Sequence, residues 1–138
     1  MPNPDCLFCK IINKEIPAVI VYEDYNVLAF LDIHPVNPGH TLIVPKIHSE
    51  GLLDADDKVF EQMIVATKKV AVAILQGLGY EAFNLEQNNG KIAGQVIPHL
   101  HWHIVPRSAD DGLKHWPGKA YAEGEAEEIA DKIRSEIR

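Results

Sequence analysis

Histidine recurs at every second position in the run His99-Leu100-His101-Trp102-His103-Ile104-Val105. Side chains on a strand alternate between its two faces, so an extended chain sends all three imidazoles to one side. Leu100, Trp102 and Ile104 then project from the other side and can anchor the strand in a core. A helix fits less well, because positions i, i+2 and i+4 spread over about 200° at ~3.6 residues per turn. The run therefore predicts a β-strand with an apolar face against a core and an imidazole face toward a site. Imidazole titrates near neutrality and serves as nucleophile, general base or metal ligand. Two uses stay open at this point: three ligands of one zinc ion, or a nucleophile flanked by two further rings.

The rest of the chain supplies a sheet around that strand. Ala18 to Tyr22 and Val27 to Leu31 are short runs rich in β-formers, joined by the turn-like Glu23-Asp24-Tyr25-Asn26. Pro35, Pro38 and Gly39 mark a loop, after which His40 to Val44 reads as a third strand ended by Pro45. Asp54 is placed to cap a long helix in which Val59, Phe60, Met63, Thr67, Val70, Ala71, Ile74 and Leu78 recur at helical spacing, with Gly77 and Gly79 at its end. Ala82 to Leu85 starts a fourth strand, and Asn88-Asn89-Gly90 is a strong turn signal. Cys6 to Ile12 reads as a short helical turn. Ala126, Ile129, Ala130, Ile133 and Ile137 outline a terminal amphipathic helix. This order predicts an α+β domain on a mostly antiparallel sheet, with the possibility of pairing to a second chain left open.

The chain has 138 residues, 46% of them hydrophobic, enough for one core. No apolar run reaches the ~18 residues of a membrane span, and no basic-then-apolar leader precedes Cys6, so the expected setting is soluble and intracellular. The formal net charge is −7 with no Lys/Arg cluster, which argues against a duplex nucleic-acid binder. Small anionic ligands stay open, because local donors outweigh a distant net charge. The two cysteines, Cys6 and Cys9, form one C-x-x-C. A thioredoxin-like redox pair is expected after a strand, and no strand signal is seen ahead of Cys6, so a redox pair is the weakest of three readings, the others being half of a metal site and a pair of inert thiols.

His-x-His-x-His followed by two apolar residues resembles the motif of the histidine-triad (HIT) family of nucleotide hydrolases and transferases. Cys6-Leu-Phe-Cys9-Lys-Ile-Ile with Glu15-Ile-Pro17-Ala resembles the start of its Hint-like branch. Phe30-Leu-Asp32-Ile-His-Pro35, Pro38-Gly39-His40 and Val44-Pro45-Lys46 resemble its ribose-binding segment. Asn88-Asn89-Gly90 with Gly94-Gln95 resembles its phosphate-side loop, and His115-Trp116-Pro117-Gly118 its carboxy-terminal segment. The ordered set spans Cys6 to Gly118, and implies a HIT-like fold of five strands over residues 5–118, followed by a helical extension over 119–138, as one domain across 1–138.

The resemblance implies a site as well. His101 is the expected nucleophile toward the α-phosphorus of a purine nucleotide ester or amide, with His99 and His103 flanking it and His40 orienting it. A third histidine, where the transferase branch carries glutamine, points to hydrolysis. Asp32 is expected to take the ribose diol, with a solvated turn aspartate as the lesser reading. Phe30, Ile33 and Leu7 or Phe8 are expected to form the slot for the base. Asn88, Gly94, Gln95 and His103 are the candidate phosphate donors. Val96 stands where some Hint-like proteins carry a hydroxyl after Gly-Gln. Cys6, Cys9, His48 and His99 are the implied ligands of a structural Zn²⁺, and Trp116 is expected near the active site across a homodimer interface. The expected protein is thus a cytoplasmic, phosphoramidase-like nucleotide hydrolase. A dinucleoside polyphosphate hydrolase and a nucleotide-binding scaffold with incidental catalysis are the alternatives.

Overall fold

The computed structural model describes residues 3–138; Met1 and Pro2, at the start of the expected single domain, lie outside the described residues. Strands β1 (Ile20–Glu23), β2 (Val27–Leu31), β3 (Thr41–Pro45), β4 (Ala82–Gln87) and β5 (Trp102–Arg107) form one sheet in the order β1-β2-β3-β5-β4. Every neighbouring pair is antiparallel. Helices α1 (Leu7–Ile12), α2 (Asp57–Leu78) and α3 (Glu125–Arg134) complete it. No described helix is long and apolar enough to cross a membrane.

Strand β2 is wholly apolar and β3 nearly so because both faces of the sheet are covered there. From β2, Val27 and Ala29 join Ile43, Leu100, Trp102 and Ile104 in a core packed by Met63, Ala66, Val70 and Ala71 of α2. Leu28, Phe30, Leu42 and Val44 point the other way, against Cys6, Phe8, Cys9 and Ile11 around α1. Trp102 is tied to the helix by an indole N–H that donates to Thr67 Oγ1 at 2.6 Å. The two faces predicted for the histidine run are therefore present: Leu100, Trp102 and Ile104 are buried under α2, and the imidazoles share the opposite side.

Two local expectations change. The ladder of β5 begins only at Trp102, pairing Ile43↔Trp102, Leu42↔His103 and Thr41↔Ile104. It gives out because β3 ends at Pro45, which has no N–H to continue it. Side chain and loop take over: His99 Nε2–H donates to the Pro45 carbonyl at 2.9 Å, and Leu100 N–H donates to the Ser49 carbonyl at 2.7 Å. Asp54 does not cap α2. It closes a short 3₁₀ turn over Leu52–Asp54 by accepting the Glu50 and Gly51 amides, and Asp56 occupies the cap position. At the other end Gly79 closes α2 at φ +77°, a left-handed conformation that favours glycine.

Beyond β5, Asp111 clasps the strand end. Its carboxylate accepts from Arg107 Nε at 2.7 Å, Asn37 Nδ2 at 3.1 Å and the Leu113 amide at 3.0 Å. The Arg107 guanidinium first, then the Leu113 amide, hold the Asp111 carboxyl well below the usual carboxylate range. A depressed carboxylate contributes stability that is present above its unfolded-state pKa of ~3.9 and is lost as pH falls below it. Asp111→Asn is therefore expected to lower stability at pH 7 while flattening its dependence between about pH 4 and pH 2. Urea denaturation at several pH values measures both; an unchanged acid slope would count against the clasp.

Candidate active site

The pocket opens between α1 and the β5 side of the sheet. Phe8 lies edge-on to Phe30, His99 and His101, with ring centroids 5.5, 5.9 and 5.0 Å away. A cavity of about 440 Å³ runs from these rings past Asp32, Ile33 and Gly94 to His101 and His103. One end is lined by apolar side chains, among them Leu7, Ile16 and Phe30, and the other by imidazoles and a carboxylate. That polarity suits a flat apolar ring system joined to an anion. Sequence reasoning did not single out Ile11, Ile16, Pro17, Leu42 or Ile97 for this wall, because each reads as ordinary core until the chain is folded.

His101 is nearly buried, at 6% exposed. Its Nδ1–H donates to the His99 carbonyl at 2.7 Å. That bond fixes the tautomer and leaves Nε2 with a lone pair and no protein partner among the described residues. Burial holds the His101 pKa below the ordinary histidine value, so the ring is neutral at pH 7. A neutral imidazole with a free Nε2 facing a cavity has the chemistry to act as a nucleophile. His40 bonds the triad strand through His103, Nε2 to Nδ1 at 2.9 Å, while the hydrogen bond to the His101 ring comes from the main chain of His99.

The three triad imidazoles do not converge on one centre. His99, fully buried, turns its Nδ1 to within 3.3 Å of Cys6 Sγ, 3.6 Å of Cys9 Sγ and 3.1 Å of His48 Nδ1. Cys9 Sγ lies 3.4 Å from His48 Nδ1. A tetrahedron with Zn–N of ~2.0 Å and Zn–S of ~2.3 Å has edges of roughly 3.3–3.8 Å, so these four donors fit one such ion with only slight expansion. The His99 Nε2–H on the Pro45 carbonyl leaves Nδ1 free to ligate, the arrangement metal-bound histidines use. Burial drives the His99 pKa down to about 4, which keeps that lone pair available at neutral pH. Burial also pushes the Cys9 thiol above its ordinary value, a cost that a nearby cation would reverse.

Other predicted residues lie around this centre. Asp32 accepts the His34 amide at 2.8 Å with one oxygen, and its other oxygen stands 3.6 Å from His40 Nε2. Gln95 is engaged structurally: its amide donates to the Glu50 and Ile97 carbonyls and its oxygen accepts the Gly90 amide. Asn88 and Trp116 line a separate groove beside β4, together with Glu86, Arg107 and His115. Trp116 is 87% exposed there. Val96 lines the same cavity as His101 and supplies no hydroxyl.

Gly39 places His40. Its φ is +96°, and a Cβ there would stand 2.6 Å from Leu78 Cδ1. Gly39→Ala is expected to cost roughly 1–3 kcal/mol in backbone strain and to displace His40. Chemical denaturation together with the histidine resonances would test this; unchanged stability would show that the loop tolerates the strain.

Comparison with known proteins places this geometry in a family. Residues 13–110 match the model of the HIT domain. An uncharacterized HIT-like protein of Methanocaldococcus jannaschii is 52% identical over 107 residues, 78% of this chain and 82% of that one. The adenosine 5'-monophosphoramidase hnt1 of Schizosaccharomyces pombe is 38% identical over 135 residues, 96% of this chain and 98% of that one. The crystal structure of a HIT family member from Bacillus subtilis superposes with a TM-score of 0.89 at 38% identity, covering 97% of this chain and 98% of that one. With its imidazoles on one side of β5 and its core on the other, this chain belongs to the HIT-domain family.

Proposed function

We propose that this chain is a nucleotide hydrolase that cleaves at the α-phosphate of purine nucleotide phosphoramidates and related acyl or polyphosphate derivatives. The observation that carries the reading is the neutral, tautomer-fixed His101, whose unpartnered Nε2 faces a cavity with an apolar end and a polar end. The Schizosaccharomyces pombe relative's name supports the phosphoramidate class. In the first step the His101 Nε2 lone pair attacks phosphorus, an N–P bond forms, and the bond to the leaving group breaks with its electron pair. In the second, water attacks the nucleotidyl-histidine, the N–P bond breaks, and nucleoside monophosphate leaves with His101 regenerated. His103 faces the phosphoryl oxygens, Asp32 the ribose, and Phe30, Ile33 and Leu7 the base.

Cys6, Cys9, His48 and His99 hold a structural Zn²⁺ in this reading. It ties α1, the segment after β3 and the catalytic strand together, and supplies no step of the chemistry. Reduced thiols at Cys6 and Cys9 suit the cytoplasm. The chain works as a homodimer, for which the support is an apolar groove of about 390 Å³ where Ile64, Val65 and Val72 of α2 meet Phe83 and Leu85 of β4. These five side chains are between 39% and 58% exposed, and β4 is an edge strand, so a second copy of the same face would cover both.

Brief mixing with an adenosine phosphoramidate, followed by intact-protein mass spectrometry, tests the reaction. The wild type is expected to give a nucleotidyl adduct or full turnover, and His101→Ala neither. Wild type giving neither would reduce the protein to a nucleotide binder. The native spectrum should show a dimer carrying one zinc per chain. Chelation is expected to lower thermal stability before it lowers turnover; immediate loss of turnover at full stability would contradict a purely structural ion.

A further inference from the structure

Helix α3 has no partner in its own chain. Arg107 Nη2 donates to the Leu113 carbonyl at 3.3 Å; past that residue, every hydrogen bond among the described residues stays within 114–138. No side chain of that stretch is buried, and only Ile129 and Ala130 are partly so. The polar side of the helix is nonetheless satisfied within itself. Glu125 Oε1 accepts the Ala122 amide at 2.9 Å, Arg134 Nη1 donates to Asp131 at 2.9 Å and to Glu127 at 3.5 Å, and Lys132 stands 3.9 Å from Glu128. What lacks a counterpart is the stripe Ala126, Ile129, Ala130 and Ile133, spaced i, i+3, i+4 and i+7. Ile133 is 56% exposed. A helix of ten residues is marginal by itself in water, and draws its stability from packing of its apolar face.

A surface of matching kind lies on the far flank of α2. Val21 and Tyr22 of β1 and Lys69, Val70, Ala73 and Ile74 of α2 line a groove of about 230 Å³. Lys69 is the charged residue in its wall. The lysine ion pairs among the described residues are made by Lys14, Lys46, Lys58 and Lys132, so Lys69 has none there. The helix α3 carries Glu125, Glu127, Glu128 and Asp131 against Lys132 and Arg134, and is therefore net negative. An apolar stripe with an acidic rim answers an apolar groove with a basic wall. The larger groove on the β4 flank is covered in the two-copy reading above, which leaves this one open.

The segment leading to α3 starts on the side opposite its own groove. Lys114, His115 and Trp116 run beside β4, and β4 and β1 are the two opposite edges of the sheet. The β4 edge is where the second copy sits. Residues 113–124 can span at most ~40 Å when extended, enough to cross onto a neighbour of this size. The geometry points to an exchanged arm: α3 of each copy lies in the β1–α2 groove of the other. Ile129 and Ile133 pack against Val21, Val70 and Ile74 of the second copy, and the acidic rim meets its Lys69. Two-fold symmetry makes the exchange reciprocal, so two such contacts add to the α2–β4 face. The arm clasps the dimer instead of capping its own domain. The inference rests on the two-copy reading and not on the reaction.

Oxidative cross-linking tests the exchange. A copy carrying Ala73→Cys is co-expressed with a copy carrying Ile133→Cys, both positions being exposed in the single chain. Exchange predicts a disulfide-linked pair whose bridge maps to positions 73 and 133 by peptide mass spectrometry, and which is lost when either copy is wild type. In one chain carrying both substitutions, closure on itself as a monomer would overturn the inference, because α3 would then belong to its own groove. So would the lack of any bridge between these positions. Ile129→Asp together with Ile133→Asp lies outside both core clusters, so the domain should still fold. That variant should raise the dimer dissociation constant by roughly tenfold or more in sedimentation. A wild type that stays monomeric when concentrated sinks the two-copy reading and the exchange together. A stable dimer that forms no bridge, and whose dissociation constant the double substitution leaves unmoved, keeps the two-copy reading and sinks the exchange alone.

Discussion

The histidine-bearing strand depends on how one residue, His99, is held where the sheet gives out. Regular pairing with β3 stops at Ile43↔Trp102, and His101 lies just before Trp102, in a stretch that the ladder no longer supports. His99 replaces the ladder with three separate attachments. Its Nε2–H grips the Pro45 carbonyl, its Nδ1 faces the Cys6–Cys9–His48 donors, and its own carbonyl takes the Nδ1–H of His101. Loss of any of these would leave a buried polar group unpaired, at about 1–3 kcal/mol each. The His101 ring is therefore oriented by main chain fixed from two directions, which is stiffer than orientation by a long side chain.

The two faces of the sheet divide the labour. Under α2 the packing is apolar apart from the Trp102–Thr67 hydrogen bond, and Leu100, Trp102 and Ile104 lock the strand against sliding, because a one-residue slip would exchange the imidazole face for the core face. On the other face α1 is only six residues long. It covers Leu28, Leu42 and Val44 and leaves a cavity beside His101 and His103. Phe8 closes the boundary, touching the core through Phe30 and the site through His101.

Polarity within the cavity follows from which groups the fold has already satisfied. Gln95 spends its side chain tying the Gly90 turn to Glu50 and Ile97, so its contribution is to shape the loop. Asp32 keeps one oxygen for the backbone of His34 and turns the other toward His40. His101 and His103 share strand, face and burial, yet their Nδ1 atoms meet different partners, a carbonyl in one case and an imidazole N–H in the other. Identical side chains acquire different chemistry from a single hydrogen bond each.

Much of this was legible in the chain. The alternation of His99, His101 and His103 with Leu100, Trp102 and Ile104 determines which side faces the core, because the strand period is two whatever the fold. The helical spacing from Val59 to Leu78 determines α2 in the same way, and the ordered motifs from Cys6 to Gly118 point to the family. Local periodicity and turn chemistry are properties of neighbours in sequence, so sequence reports them. What it could not report are contacts between distant segments: that Asp56 and not Asp54 stands at the start of α2, that β5 starts three residues late, that His40 meets His103 and not His101, and that Gln95 turns away from the cavity. Each was decided when segments as much as 93 residues apart, as Cys6 and His99 are, competed for the same donors and acceptors. The residues available for chemistry are written in the chain, but the proton each carries is set by partners that only the folded structure brings within 3 Å.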